Sequence, residues 1–311
     1  MAIDTRPYDS FFRFAFTRID LAWELTRLIA PELASGREGW RVSVDPDTFV
    51  DPALRSEQTD LLIQLERRGS ESLVYVLYEH KSSPDRWVAL QLLGYLTSIW
   101  RRSRSNRPAP TLPRILPVVL YHGRPRWTEP LEFSRLVDGP HADHVPRFAP
   151  ELVNLADIAV EQISGSLGFV VALLALKFVR QRLTDARVRL LVSWWDRAHA
   201  DPAARELAEA AERMYARSRT RDEIDRMATF AGDREYHSVE EGLMTYAQEM
   251  LQTGQMREKR NVLVRQLNRR FGLTDDEREG ILSCDDPDAL DAALDDVIVA
   301  ENKESVLARL P

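Results

Sequence analysis

The segment Leu73-Val-Tyr-Val-Leu-Tyr-Glu-His-Lys81 narrows the folds open to this chain more than any other. Six apolar or aromatic residues run without alternation and stop at three ionisable ones. A strand with one wet face alternates apolar and polar residues. A continuous apolar run of this length reads as a strand buried on both faces. Such a strand lies inside a sheet that helices cover on both sides, so the expected class is α/β.

The flanking segments fit that class. Asp60-Leu-Leu-Ile-Gln-Leu-Glu66 reads as a strand, Arg67-Arg-Gly-Ser70 as a turn and Ile115–Tyr121 as a further buried strand. Between them Ser83 is placed to N-cap a helix, with Pro84 at its first position. That helix is expected to reach about Arg102 and to bury Leu90, Leu93, Leu96 and Trp100, with a basic, Pro-rich loop from Arg101 to Pro113. Upstream, Asp9 is placed to cap a helix carrying Phe11, Phe12, Phe14 and Phe16. A second helix, Asp20 to Ile29, repeats Leu21, Leu25 and Leu28 and ends at Pro31.

From about residue 150 the pattern is helical. Helices are expected at Ser166–Leu183, near 186–198 and 201–218, and over a long stretch from Val239 to Arg270 that Gly272 ends. A stretch of that length suggests a coiled-coil-like or lever helix, with Val239, Leu243, Tyr246 and Met250 at the spacing of a partner-binding face. Thr274-x-x-Glu277 is a capping box, and Asp285-Asp286-Pro287 opens a last helix in an acidic tail. The expected division is an α/β core over 1–150, a helical extension over 151–232 and a C-terminal helical domain over 233–311.

The net charge of −7 speaks against a purely electrostatic nucleic-acid binder. A local patch can still bind, and Arg101, Arg102 and Arg104 are the candidates for phosphate contact. The single cysteine, Cys284, excludes an intrachain disulfide and suits a reducing cytoplasm. The first thirty residues carry scattered charges and no apolar signal region. The most apolar stretch, Leu167–Val179, is too short for a bilayer and contains Lys177. A cytoplasmic protein without membrane contact is expected. No Gly-rich phosphate loop is present, so no nucleotide cofactor is expected. His141-x-x-His144 lacks further ligands nearby, and Trp194-Trp195 reads as core.

The chemistry is concentrated where the buried strand ends. Side chains two apart on a strand share a face, so Glu79 and Lys81 project together and His80 points the other way. If the Asp60 strand pairs antiparallel with this one, its start lies beside Glu79. Two carboxylates there suit a hard cation such as Mg²⁺, and Mn²⁺ can substitute. The adjacent ammonium can orient or deprotonate water, or stabilise charge on a phosphate. The plain alternative is that Glu79 and Lys81 form an ordinary ion pair. The helix that follows carries Gln91 and Tyr95 on one face, beside this cluster.

These residues recur in an ordered series: Asp9-Ser-Phe-Phe12, Phe49-Val-Asp51, Gln58-Thr-Asp60-Leu-Leu62, Tyr78-Glu-His-Lys-Ser-Ser-Pro84, Gln91-Leu-Leu-Gly-Tyr95 and Leu116-Pro-Val-Val-Leu-Tyr-His-Gly123. The series resembles the Rpn family of recombination-promoting nucleases, also called transposases, within the PD-(D/E)xK superfamily. The resemblance covers roughly residues 5–230. It implies a restriction-endonuclease-like mixed sheet flanked by helices, followed by an all-helical region. It also implies a metal-dependent DNA endonuclease that promotes recombination. Asp60 and Glu79 would hold Mg²⁺ with help from the His80 carbonyl. Lys81 would act on the attacking water, Gln91 would be a polar helper, and Asp9 and Tyr95 would be accessory. The family often has His before the Asp of its first motif, where this chain has Tyr8. Residues from about Glu240 to Leu310 resemble a small helical domain of unknown function that often follows such a core. Cutting both strands usually takes two centres, so a homodimer or higher homo-oligomer is expected. Two other readings remain open: a DNA-binding accessory protein with a decayed site, and a protein-interaction scaffold.

Overall fold

A computed structural model of the chain describes residues 7–32, 39–45, 61–69, 73–106, 109–139 and 144–311. The chain divides into two compact units, Met1–Leu243 and Met244–Pro311.

The first unit is built on one sheet. Its strands are β1 (Trp40–Val44), β2 (Leu61–Arg67), β3 (Leu73–Lys81), β4 (Arg114–Tyr121) and β5 (Glu151–Asn154), lying side by side in chain order. β1–β2 and β2–β3 are antiparallel, whereas β3–β4 and β4–β5 are parallel. The change of sense falls where helix α3 (Val88–Asn106) carries the chain from β3 to β4, as a parallel pair requires. β3 is therefore the central strand, which accounts for its unalternating apolar run. The mixed sheet flanked by helices and followed by further helices is the expected fold class.

Helices pack on both faces. Val88, Leu92, Tyr95 and Ile99 of α3 meet Leu62, Leu77 and Val119 of the sheet. On the other face lie α1 (Pro7–Phe16) and α2 (Ile19–Ile29). There Phe12 stacks on His80, and the Thr26 and Tyr78 hydroxyls are 3.3 Å apart. Behind them α4 (Leu167–Val179) is buried along its whole length from Gly168. A helix apolar all round belongs in a core. Its one charge, Lys177, is buried too, and its Nζ donates to the carbonyls of Leu155, Ala156 and Ile158 at 2.6, 3.2 and 2.6 Å. Burial, with Arg187 nearby, pulls its pKa down. Helices α5 (Asp185–His199), α6 (Arg205–Ser218) and α7 (Arg221–Gly232) complete the layer, and α8 (His237–Arg270) begins in this unit. Among the described residues no helix is long and apolar enough to cross a membrane.

Several local expectations need correction. Asp9 does not cap α1, because the helix already includes Pro7; it lies in the first turn. Ser83 and Pro84 do not open α3. The segment after Lys81 turns first, with the Trp87 amide donating to Asp85 Oδ1 at 2.9 Å, and the helix starts at Val88. The buried face is consequently rotated: Leu90 is exposed, Leu93 and Trp100 are half-buried, and of the four expected residues Leu96 is buried. α3 also runs to Asn106, through part of the expected loop. β5 interrupts the region expected to be helical from residue 150. Val239 and Leu243, placed on a partner-binding face, are buried in the first unit.

The second unit has its own core. Leu263 and Leu267 of α8 meet Ile281 of α9 (Asp275–Ser283), Leu290, Ala293 and Val297 of α10 (Pro287–Val299), and Val306 of α11 (Lys303–Leu307). The capping box of Thr274 and Glu277 is present, and Gly272, at φ +75°, takes the left-handed conformation that ends α8. α10 is not the last helix, since α11 follows it. Part of the acidic tail is answered by basic residues of α8: Lys259 pairs with Asp291 at 2.6 Å and Arg260 with Asp285 at 2.5 Å.

Candidate active site

The end of β3 presents its two kinds of face to two different environments. Glu79 and Lys81 turn toward α3, as strand period two requires. Lys81 Nζ lies 3.0 Å from Glu79 Oε1, 3.0 Å from Asp85 Oδ2 and 3.0 Å from Gln91 Oε1. Gln91 in turn donates through Nε2 to the Tyr95 hydroxyl at 2.9 Å. Tyr95 is buried against the sheet and so fixes the chain of contacts to the core. Glu79 is 4% exposed. The ammonium thus sits at the rim of a buried carboxylate, and a turn and a helix hold it from two further sides.

The electrostatics follow from these neighbours. Burial pulls the Lys81 pKa down, but the Glu79 and Asp85 carboxylates outweigh it and leave it raised. Burial pushes the Asp85 pKa up, but its bonds from Lys81 and the Trp87 amide outweigh it and leave it lowered. Lys81 is therefore a cation and Asp85 an anion at neutral pH. Sequence reasoning missed Asp85. Its signal was available in the Asp85-x-Trp87 turn spacing, four residues beyond Lys81, but was read as the first turn of a helix.

The reverse face holds His80. Its Nδ1 lies 3.2 Å from Asp9 Oδ1, and its ring is stacked between Phe12 (4.8 Å between centroids) and His122 (4.4 Å). Tyr8 meets His122 edge-on at 5.3 Å. Burial, with His80 and Arg180 nearby, holds the His122 imidazole well below its ordinary pKa. Asp9 is thus brought to the site region but on the opposite side of the sheet from Glu79 and Lys81, joined to it through His80. Tyr8, standing where the family often has His, packs against this ring column.

Asp60 and His141 lie outside the described residues. The nearest described pair of the sheet is Leu61 opposite Tyr78, the residues that follow Asp60 and precede Glu79. Among the described residues no group of three or more His, Cys, Asp and Glu side chains could hold a metal ion. Of the expected donor set, the Glu79 carboxylate and the His80 carbonyl belong to described residues, and both are hard oxygen ligands of the kind that suits Mg²⁺. Arg101 and Arg104 are exposed on α3. Arg102 is paired with Asp45 at 3.2 Å beside a polar hollow of about 240 Å³ that Gln64, Glu66 and Ser103 also line. Trp195 is fully buried core.

The family model described as "Putative transposase, YhgA-like" matches residues 6–204, which include both faces of this site. The chain belongs to that family. Recombination-promoting nuclease RpnD of Escherichia coli O157:H7 is 28% identical over 60% of this chain and 75% of its own length. The inactive recombination-promoting nuclease-like protein RpnE of Escherichia coli K12 is 27% identical over 41% of this chain and 42% of its own. Recombination-promoting nuclease RpnC of the same strain is 23% identical over 39% and 41%. The chain thus spans three quarters of the first relative and about two fifths of the other two. No solved structure matches. The relatives include proteins named as nucleases and two named inactive, so the likeness leaves the state of the site to its own residues.

Proposed function

We propose that this chain is a metal-dependent DNA endonuclease acting on phosphodiester bonds, with Asp60, Glu79, Lys81 and Gln91 at its centre. The observation that carries this reading is the Lys81 ammonium fixed between Glu79, Asp85 and Gln91 at the end of a buried central strand. Taking both charges out of water is costly, and the bonds from Lys81 to Glu79, Asp85 and Gln91 offset that cost. The antiparallel register that ends at Leu61 opposite Tyr78 supports giving Asp60 the second carboxylate role.

In this reading Asp60 and Glu79, with the His80 carbonyl, hold Mg²⁺ or Mn²⁺. The cation supplies Lewis acidity and a more acidic water. Lys81 would act on the attacking water and stabilise charge growing on the phosphate. Gln91 keeps the ammonium on the Glu79 side. Arg101 and Arg104, exposed further along α3, contact phosphates away from the cut. Two such centres in a homodimer would cut two strands.

Plasmid nicking by the pure protein tests the reading. Activity is expected in Mg²⁺ or Mn²⁺ and none in EDTA. Undiminished nicking in EDTA overturns the metal mechanism. DNA binding without nicking in either metal favours a second reading, a binding protein with a silent site; two relatives are named inactive.

A further inference from the structure

The solvent face of α3 begins at the rim of the candidate site and is dressed for an unusual partner. Trp87, just before the helix, and Leu90 in its first turn are 54% and 50% exposed. An indole left half in water contributes little to the fold. Its backbone, however, is firmly held. The Trp87 amide donates to Asp85 Oδ1 at 2.9 Å, and the other oxygen of that carboxylate holds Lys81 at 3.0 Å. The Trp87 carbonyl accepts from the Gln91 amide at 3.0 Å, which places the two residues one helical turn apart on one side of the helix. Trp87 is thus tied by one carboxylate and one turn of helix to two members of the site.

The residues that continue this face favour a polyanion. Arg86 is exposed beside Trp87. Thr97, Arg101 and Arg104 follow at spacings of three and four, all exposed. Gly94, between Leu90 and Thr97, has open space where a side chain would stand. The stripe is aromatic and apolar near the site, flat in the middle and basic at its far end. Trp87 to Arg101 is about 21 Å at a rise of about 1.5 Å per residue, enough to reach several phosphates of one strand.

We propose that Trp87 is a stacking platform for one unpaired base of the DNA. It would hold the strand so that a neighbouring phosphate lies at Lys81 and Glu79, a role that rests on the nuclease reading. In a duplex both faces of each base are covered by its neighbours. An exposed indole gains a partner from a base that has left the stack. The substrate class this selects is DNA with an unpaired base beside the scissile bond, whether single-stranded or at a junction with duplex.

The test uses the full chain with Ca²⁺ in place of Mg²⁺, so that no chemistry is needed for the readout. Fluorescence anisotropy follows binding to a labelled single-stranded oligonucleotide and to the same sequence as a blunt duplex. Trp87→Ala is expected to weaken single-strand binding about ten- to a hundredfold, the range for one stacked base, and to leave duplex binding little changed. Trp87→Phe is expected to keep most of the affinity. Unaltered thermal melting shows that the variants are folded, as a surface position allows. Equal loss on both DNAs, no loss on the single strand, or a wild-type chain that does not bind the single strand overturns the platform. So does a change in light-scattering mass with DNA affinity intact, which would assign the patch to a second copy of this chain. Wild-type cleavage in Mg²⁺ is scored separately. A Trp87 effect on binding without cleavage removes the nuclease reading and leaves the platform. Cleavage without a Trp87 effect does the reverse.

Discussion

Lys81 is the residue whose surroundings say most about what the site can do. Its ammonium bonds Glu79, Asp85 and Gln91, and the two carboxylates keep its pKa raised. Lys81→Ala is expected to lower single-turnover cleavage in saturating Mg²⁺ by about 10²–10⁴-fold, as for loss of one group that acts mainly in the transition state. DNA affinity in Ca²⁺ is expected to change little, because one cation among several phosphate contacts is a small loss. The variant is also expected to melt at a lower temperature, because Glu79 and Asp85 lose the charge that compensates them. Near wild-type cleavage by Lys81→Ala would return Glu79 and Lys81 to an ordinary ion pair. The spacing of Glu79 and Lys81 was legible in the sequence because strand period two is rigid. The turn through Asp85 and Trp87 was not, because Ser83-Pro84-Asp85 satisfies the rules for a helix start as well as those for the turn that forms.

At the scale of elements, legibility followed the strength of the pattern. β3 was readable from end to end because nine residues sit in one unbroken context. β1 and β5 were not, being five and four residues long with mostly half-buried side chains and no alternation to mark them. α3 was found with its buried face misjudged. Leu90, Leu93, Leu96 and Trp100 fit a helical stripe, but so do Val88, Leu92, Tyr95 and Ile99, and it is the second stripe that meets Leu62, Leu77 and Val119. A pair of truncations separates the two. Leu92→Ala, at a fully buried position, is expected to cost about 2–5 kcal/mol in denaturant unfolding. Leu90→Ala, at a half-exposed one, is expected to stay within about 0.5 kcal/mol. The opposite ranking would mean that α3 is rotated about its axis relative to the arrangement described, and with it the line from Tyr95 through Gln91 to Lys81.

Across the whole molecule, one buried acid links folding to pH. Glu212 of α6 is fully buried, and its Oε1 lies 2.8 Å from His199 Nε2 at the end of α5. Its Oε2 lies under α8 at Gly242, where an added Cβ would stand 2.4 Å from it and the carboxylate would have to shift. Burial pushes the Glu212 pKa up to about 7, with the His199 contact opposing it in part. Burial alone would lower the His199 pKa, but its bond to Glu212 outweighs that and raises it. Both shifts are upward, so the folded pair binds protons that the unfolded chain has already lost. A group whose folded pKa is raised contributes stability that is present below its unfolded pKa and disappears as pH climbs through the folded one. For Glu212 that window runs from its ordinary carboxylate value, 4.5, to about 7, and His199 extends it upward from 6.5. Glu212→Gln keeps an acceptor for the imidazole and removes the titration. Its melting temperature minus that of the wild type is therefore expected to rise, on the order of a few degrees, as pH goes from about 5 to about 8. Taking the difference cancels the other carboxylates and histidines, which the two proteins share. A difference that stays constant across this range would show that neither Glu212 nor His199 binds extra protons in the folded chain, and would overturn the upward shift of both.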